Sequence, residues 1–187
     1  MGLLNLFCKR SPSSVKKTAE TSAPQTDTER WLTAACAIWS EYCGGSWNYI
    51  GGFEKTPSNT ATLKSILNSD WLVTDHDSGI RLVEYLLRHA GEESEKYAFN
   101  YACAINICGR MYLCDFLTRK EYVQYSREAG QRLQERYHSW EEYCSGYIKG
   151  TTLESGVADK THEFTDCFQK LSSLRKGPYR MDWNLRL

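Results

Sequence analysis

Proline is nearly absent from the interior of this sequence. The four in 187 residues are Pro12, Pro24, Pro57 and Pro178, so no ring interrupts a helix between residues 58 and 177. Net charge is missing as well: 23 basic and 23 acidic side chains cancel to +0 at pH 7, which excludes nucleic-acid binding driven by overall charge. No apolar run is long and clean enough for a membrane span. The most apolar stretch, residues 97–117, contains Arg110 and Asp115, each with a heavy insertion penalty. There is no C-x-x-C, no Cys/His zinc spacing, no Gly-Lys-Ser/Thr phosphate loop and no nucleophile elbow, so no metal or nucleotide cofactor is implied. Alternating strand patterns and internal repeats are absent too.

What is present is a soluble globule with material for a core: 41% hydrophobic, 13% aromatic, six tryptophans and a mean hydropathy of −0.55. Eight cysteines are unusual. The N-terminus shows no basic region ahead of its short apolar run and no small-residue cleavage site, so a cytoplasmic chain with reduced thiols is expected. Cys36 and Cys43, like Cys103 and Cys114, are spaced along one helix stripe at roughly 10–16 Å, too far for a disulfide or a shared metal. Buried cysteine acting as a small apolar filler is the expectation.

Residues 1–26 read as a disordered leader, rich in Ser, Thr, Lys and Pro. Order is expected from the capping box Thr26-x-x-Glu29, with a first helix running to Cys43 before Gly44-Gly45. A second helix covers about Ser58–Asn68. A third, capped by Thr74-x-x-Asp77, carries the stripe Ile80, Val83, Leu86, Leu87 and Ala90 and stops at Gly91. The fourth, about Glu93–Phe116, is the informative one. Among residues 97–117 only Asn100, Asn106, Arg110 and Asp115 are strongly polar, so this helix should be covered over most of its circumference. A fifth runs from Thr118-x-x-Glu121 to about Tyr137, a sixth from Ser139 to Gly150, and a seventh from about Lys160 to Leu174. The terminal segment with Met181, Trp183, Leu185 and Leu187 should dock on the body. The predicted architecture is an all-α, single-domain bundle of about seven helices around a buried central helix, spanning residues 27–187.

Several residues invite a functional reading. Asn100, Cys103, Asn106 and Arg110 fall within one half of the fourth helix's wheel; they line a cleft or form a satisfied buried polar network. The glycine-bracketed GGSWNYIGG presents Trp47 and Tyr49, as recognition anchors or as aromatics folded back on the core. Residues 70–97 carry seven acids and three bases, and Asp75, Asp77, Glu92 and Glu93 form an acidic edge suited to a protein partner or to pairing within the fold. Asp75-His76-Asp77 suits a capped helix start. His162-Glu163-x-x-Asp166 stops short of a zinc motif. The apolar MGLLNLF and the cluster Lys9, Arg10, Lys16 and Lys17 allow a weak membrane contact through residues 1–17, although Leu6 stands where myristoylation needs Ser or Thr.

The segments ERWLTAACAIWSE, SILNSDWLVTDHDSGIRLVEYLLRHAG, YAFNYACAINICGRMYLCDFLTRKEY, YHSWEEYCSGYIKG and PYRMDWNL occur in a recognisable order. Over residues 29–187 the chain resembles the bacterial domain-of-unknown-function family 1266, most specifically in Ser139-Trp140-Glu141-Glu142-Tyr143 with Gly150 beyond. Trp31, Trp71 and Trp183 match weaker aromatic positions. The chain departs from the family at Phe99, Asn100 and Cys103, where the resemblance implies an aromatic-acid pair followed by an arginine. The resemblance implies a helical cytoplasmic bacterial protein and no particular activity.

These readings lead to the expectation of a non-enzymatic module that binds another protein, of an immunity or toxin-accessory kind, through Trp47, Tyr49 and the acidic edge. The alternative is a small enzyme with a polar cleft around Asn106 and Arg110.

Overall fold

Apolar residues on every side of Tyr97–Leu113 demand cover, and the fold supplies it. The computed structural model describes residues 21–92, 94–154 and 157–187, which are all-α with no strand among them. The helices are α1 (Asp27–Ala35), α2 (Ala37–Tyr42), α3 (Pro57–Trp71), α4 (His76–His89), α5 (Tyr97–Leu113), α6 (Arg119–Arg136), α7 (Trp140–Thr151) and α8 (Thr161–Ser173). In α5 every residue except Tyr97, Asn100 and Cys103 is buried. Helices α3, α4, α6 and α7 and the 3-10 turn Ile50–Gly52 all pack on it. Outside that layer α1 lies on α6, and α8 rests on α2 and α7. No helix among the described residues is long and apolar enough to cross a membrane.

The expected single helix from Thr26 to Cys43 is two. Cys36 (φ −95°, ψ 5°) breaks it: its N–H bonds to the Thr33 carbonyl in a tightened turn while its thiol reaches the Ala102 carbonyl on α5 at 3.6 Å. The second expected helix extends three residues further, because Leu72 (φ 55°) closes α3 in the left-handed region where glycine is the usual residue. Helix α4 is capped by Asp75 rather than Thr74. Ser78 N–H donates to Asp75 Oδ1 at 2.8 Å, and the Asp75 N–H donates to Ser78 Oγ at 3.1 Å. Helix α5 begins at Tyr97, after the turn Ser94–Lys96, and ends at Leu113. Asp115 (φ 61°) then turns the chain, so that Phe116 N–H reaches the Met111 carbonyl and Asp115 N–H the Tyr112 carbonyl.

Both ends of the described chain are tied down by side chains. Residues 21–26, read from sequence as the end of the leader, lie against the body. Ser22 is buried and its hydroxyl accepts the Lys55 N–H; Arg119 donates to the Thr21 and Ala23 carbonyls and grips Glu29. At the other end Trp183 is buried among Trp31, Trp140 and Tyr143. Its indole donates to the Tyr137 carbonyl at 2.8 Å, and its own carbonyl accepts from the Trp31 indole at 3.0 Å. Residues 1–20, with the membrane-contact expectation placed on residues 1–17, lie outside the described residues.

Cys36, Cys103, Cys108, Cys114, Cys144 and Cys167 are free thiols. Cys36, Cys108, Cys114 and Cys144 are buried, where they fill space as small apolar groups.

Candidate functional site

One face of α5 borders a cavity of about 420 Å³. Asn100, Cys103, Asn106 and Arg110, spaced at three and four residues, all line it, with Phe99, Ala102 and Ile107 beside them. The opposite walls come from Cys36 and Trp39 at the α1–α2 break, Asp70 and Trp71 at the end of α3, Leu86 of α4, Tyr147 of α7, and Glu154 and Val157 beyond it. Burial divides these residues into an interior and a mouth. Arg110 and Asn106 are only 3% and 7% exposed, and Cys36, Ile107, Tyr147 and Val157 are equally enclosed. Trp39, Asp70, Trp71, Leu86, Asn100, Cys103 and Glu154 are half-buried and form the rim. A guanidinium and a carboxamide therefore sit in the enclosed part of a largely aromatic and aliphatic chamber whose other polar groups, Asp70, Asn100 and Glu154, lie at the rim. Its volume falls in the range of small-molecule sites.

Burial disfavours the thiolate form of the two cysteines that line the chamber. Burial pushes the Cys103 thiol up to about 12, with Glu154 adding to the rise and Arg110 opposing it. The Cys36 thiol is raised further, again chiefly by burial. Both stay protonated near neutral pH and are poor nucleophiles. At the rim, Glu154 takes a hydrogen bond from Lys96 Nζ at 3.4 Å, and Asp70 accepts one from the Ser69 hydroxyl at 2.6 Å. Among the described residues no three His, Cys, Asp or Glu side chains converge as metal ligands would.

The residues expected to meet a protein partner are placed differently. Trp47 packs against the core from a loop folded back on itself, with the Ser46 N–H on the Gly52 carbonyl at 2.8 Å; Tyr49 is half-buried and leads into the turn Ile50–Gly52. Asp75 is exposed but engaged as the α4 cap. Asp77 pairs with His76 at 2.9 Å, and Glu92 with His89 at 2.8 Å. Glu93 lies outside the described residues. His162 and Asp166 face each other at 3.6 Å on an exposed face of α8.

Helix period alone puts the polar stripe of α5 on one side. It gives no hint of the far wall, because Trp39, Trp71, Leu86, Tyr147 and Val157 come from five separate segments, each of which reads as ordinary core. Phe99, Asn100 and Cys103 all belong to the α5 wall. The run from Ser139 to Tyr143 is used in packing: Ser139 caps α7, the Trp140 indole holds the Met181 carbonyl at 2.8 Å, and the Tyr143 hydroxyl reaches the Ala35 carbonyl at 2.6 Å.

No curated protein and no solved structure matches the chain. Residues 89–183, just over half of its length, match the family described as "Protein of unknown function (DUF1266)". That span runs from the last residue of α4 through α5, α6, α7 and α8 to Trp183, so it includes the α5 wall of the cavity and the tryptophan that seals the C-terminus. The chain belongs to this family.

Proposed function

We propose that this protein is a non-enzymatic binding module whose ligand is a small, largely apolar molecule held in the cavity beside α5. The observation that carries the reading is the lining itself. Aromatic and aliphatic walls enclose a few polar groups, most of them from one helix, which is the composition of a ligand site, whereas a bundle interior of this size would ordinarily close. The raised thiols support binding over covalent chemistry, and the cysteines without disulfides among the described residues support a reducing, cytoplasmic setting.

The neutral fluorophore N-phenyl-1-naphthylamine tests this directly. The expected result is saturable binding at one site per chain, with quenching of Trp39 and Trp71, and loss of both in Cys103→Phe, which fills the cavity while the fold persists by circular dichroism. Absence of binding, or equal binding by the filled variant, ends the proposal.

A protein partner docked along α4 is the second reading, and one observation favours it. Leu72 and Tyr85 stand 79% and 58% exposed on the segment that carries the acidic edge, and such residues suit an apolar and basic partner surface. If that reading holds, a Leu72→Ser/Tyr85→Ala double variant loses a partner that the wild type retains. Equal retention removes it.

A further inference from the structure

We infer that the end of α3, residues 68–72, is the gate of the α5 chamber, with Trp71 closing the mouth and Leu72 acting as the hinge. This rests on the reading of the chamber as a binding site and adds how that site is entered.

The interior is reached only if part of the rim moves, because Arg110, Asn106, Tyr147 and Val157 are no more than 7% exposed. Most of the rim is fixed. Asn100 and Cys103 stand on the central helix. Trp39 is stacked on Phe164 at 5.9 Å and lies against Tyr42 and Phe99. Glu154 is held by Lys96. Leu86 belongs to α4, which is pinned at its start by His76 on Glu121 and near its end by the Tyr101 hydroxyl on the Leu87 carbonyl. Asp70 and Trp71 remain, and both belong to one turn.

That turn is the least fastened part of the rim. Helix α3 is tied to the body toward its start: the Thr60 hydroxyl donates to the Leu113 carbonyl at 3.0 Å, and Lys64 Nζ sits over the Phe116 ring at 5.4 Å. Its buried side chains are Leu63 and Leu67. Beyond Leu67 the side-chain hydrogen bonds stay inside the helix, from Ser69 to Asp70 and to the Ile66 carbonyl. Trp71 rests on the core through apolar contact, with no ring partner among the described residues. Helices α3 and α4 lean on α5 but barely on each other, so nothing braces the corner between them.

Leu72 supplies the hinge. Its φ of 55° places a leucine in the left-handed region, and its side chain is 79% exposed, so no burial offsets the strain. Two hydrogen bonds hold it there, Leu72 N–H on the Asn68 carbonyl at 3.2 Å and Val73 N–H on the Leu67 carbonyl at 2.9 Å. When Leu72 returns to an ordinary backbone region, the turn unwinds and Trp71 leaves the mouth. Leu67 and Val73, both fully buried, confine the movement to the residues between them. The strain raises the closed form toward the open one, as a gate requires.

Stopped-flow binding of N-phenyl-1-naphthylamine to the intact chain tests the gate. The strain is present in the closed form whether the chamber is empty or filled, so relieving it slows entry and exit by one factor. Leu72→Gly should lower kon and koff together, roughly fivefold, and leave Kd unchanged. Leu72→Val, β-branched and least tolerant of positive φ, should raise both several-fold. Circular dichroism checks that each variant folds. In the ligand-free protein labelled with 5-fluorotryptophan, the Trp71 fluorine resonance, assigned by its loss in Trp71→Phe, should be exchange-broadened while those of Trp31 and Trp183 stay sharp. Dye binding at rates that neither Leu72 variant moves overturns the gate and leaves the cavity reading in place. A Trp71 resonance as sharp as those of Trp31 and Trp183 does the same. A wild-type protein that binds no dye overturns both.

Discussion

Gly51 and Gly109 meet backbone to backbone where the turn Ile50–Gly52 crosses α5. A Cβ on Gly109 would lie 2.7 Å from the Gly51 nitrogen, and one on Gly51 would lie 2.7 Å from the Gly109 carbonyl carbon. Gly51 also has φ +68°, so it answers to two constraints at once. Gly109→Ala should therefore separate helix and turn and lower stability by about 1–3 kcal/mol in urea denaturation. Gly44→Ala is the instructive control. Gly44 has φ +71° but open space around it, so its cost of about 1 kcal/mol is conformational only.

Glu29 and Arg119 form a partly enclosed pair, with Arg119 Nε to Glu29 Oε1 at 2.6 Å and Nη2 to Oε2 at 3.0 Å. Burial alone would raise the Glu29 carboxyl. The hydrogen bonds from Arg119, Gln25 N–H and Thr26 N–H outweigh it and hold the group below its ordinary value. A depressed carboxyl stabilises the fold above its unfolded pKa, and that contribution is lost as pH falls through the folded one. Glu29→Gln should cost about 2–4 kcal/mol at pH 7, and the gap from wild type should close in denaturation curves as the solution is acidified past that point.

Trp183 seals the bundle through an indole donor, a carbonyl acceptor and three aromatic neighbours. Trp183→Ala should cost about 3–5 kcal/mol, measured by thermal or urea unfolding. Trp183→Phe should recover most of the packing and leave the Tyr137 carbonyl without its donor, falling between the two.

His76 bridges the start of α4 to α6, with Asp77 at 2.9 Å and Glu121 at 3.2 Å. Its pKa is raised, first by Asp77 and then by Glu121. The bridge contributes fully below the unfolded histidine value and is lost as pH rises through the raised one. Imidazole titration by NMR should show the elevation, and Asp77→Asn should lower it more than Glu121→Gln does.

Much of this bundle is written locally. Thr26 with Glu29, Thr118 with Glu121, and Ser139 before Glu142 start α1, α6 and α7 where their side chains bond the first free N–H groups. The apolar circumference of residues 97–113 announces a central helix. Other features have no local signature. Cys36 breaks a helix without proline or glycine where its thiol reaches α5, and Leu72 takes a glycine-like conformation at the end of α3. The cavity is half legible: its polar stripe follows from helix period, while its far wall depends on five segments that only the tertiary fold assembles.

Because α3, α4, α6 and α7 all lean on α5, none of them can detach without uncovering the same column of side chains. Amide protons in the middle of α5 should therefore exchange with deuterium only through unfolding of the whole molecule, and their exchange rates become a readout of global stability. A ligand in the chamber touches that column directly, so occupancy should slow exchange at Ile105, Cys108 and Tyr112, residues that do not line the chamber.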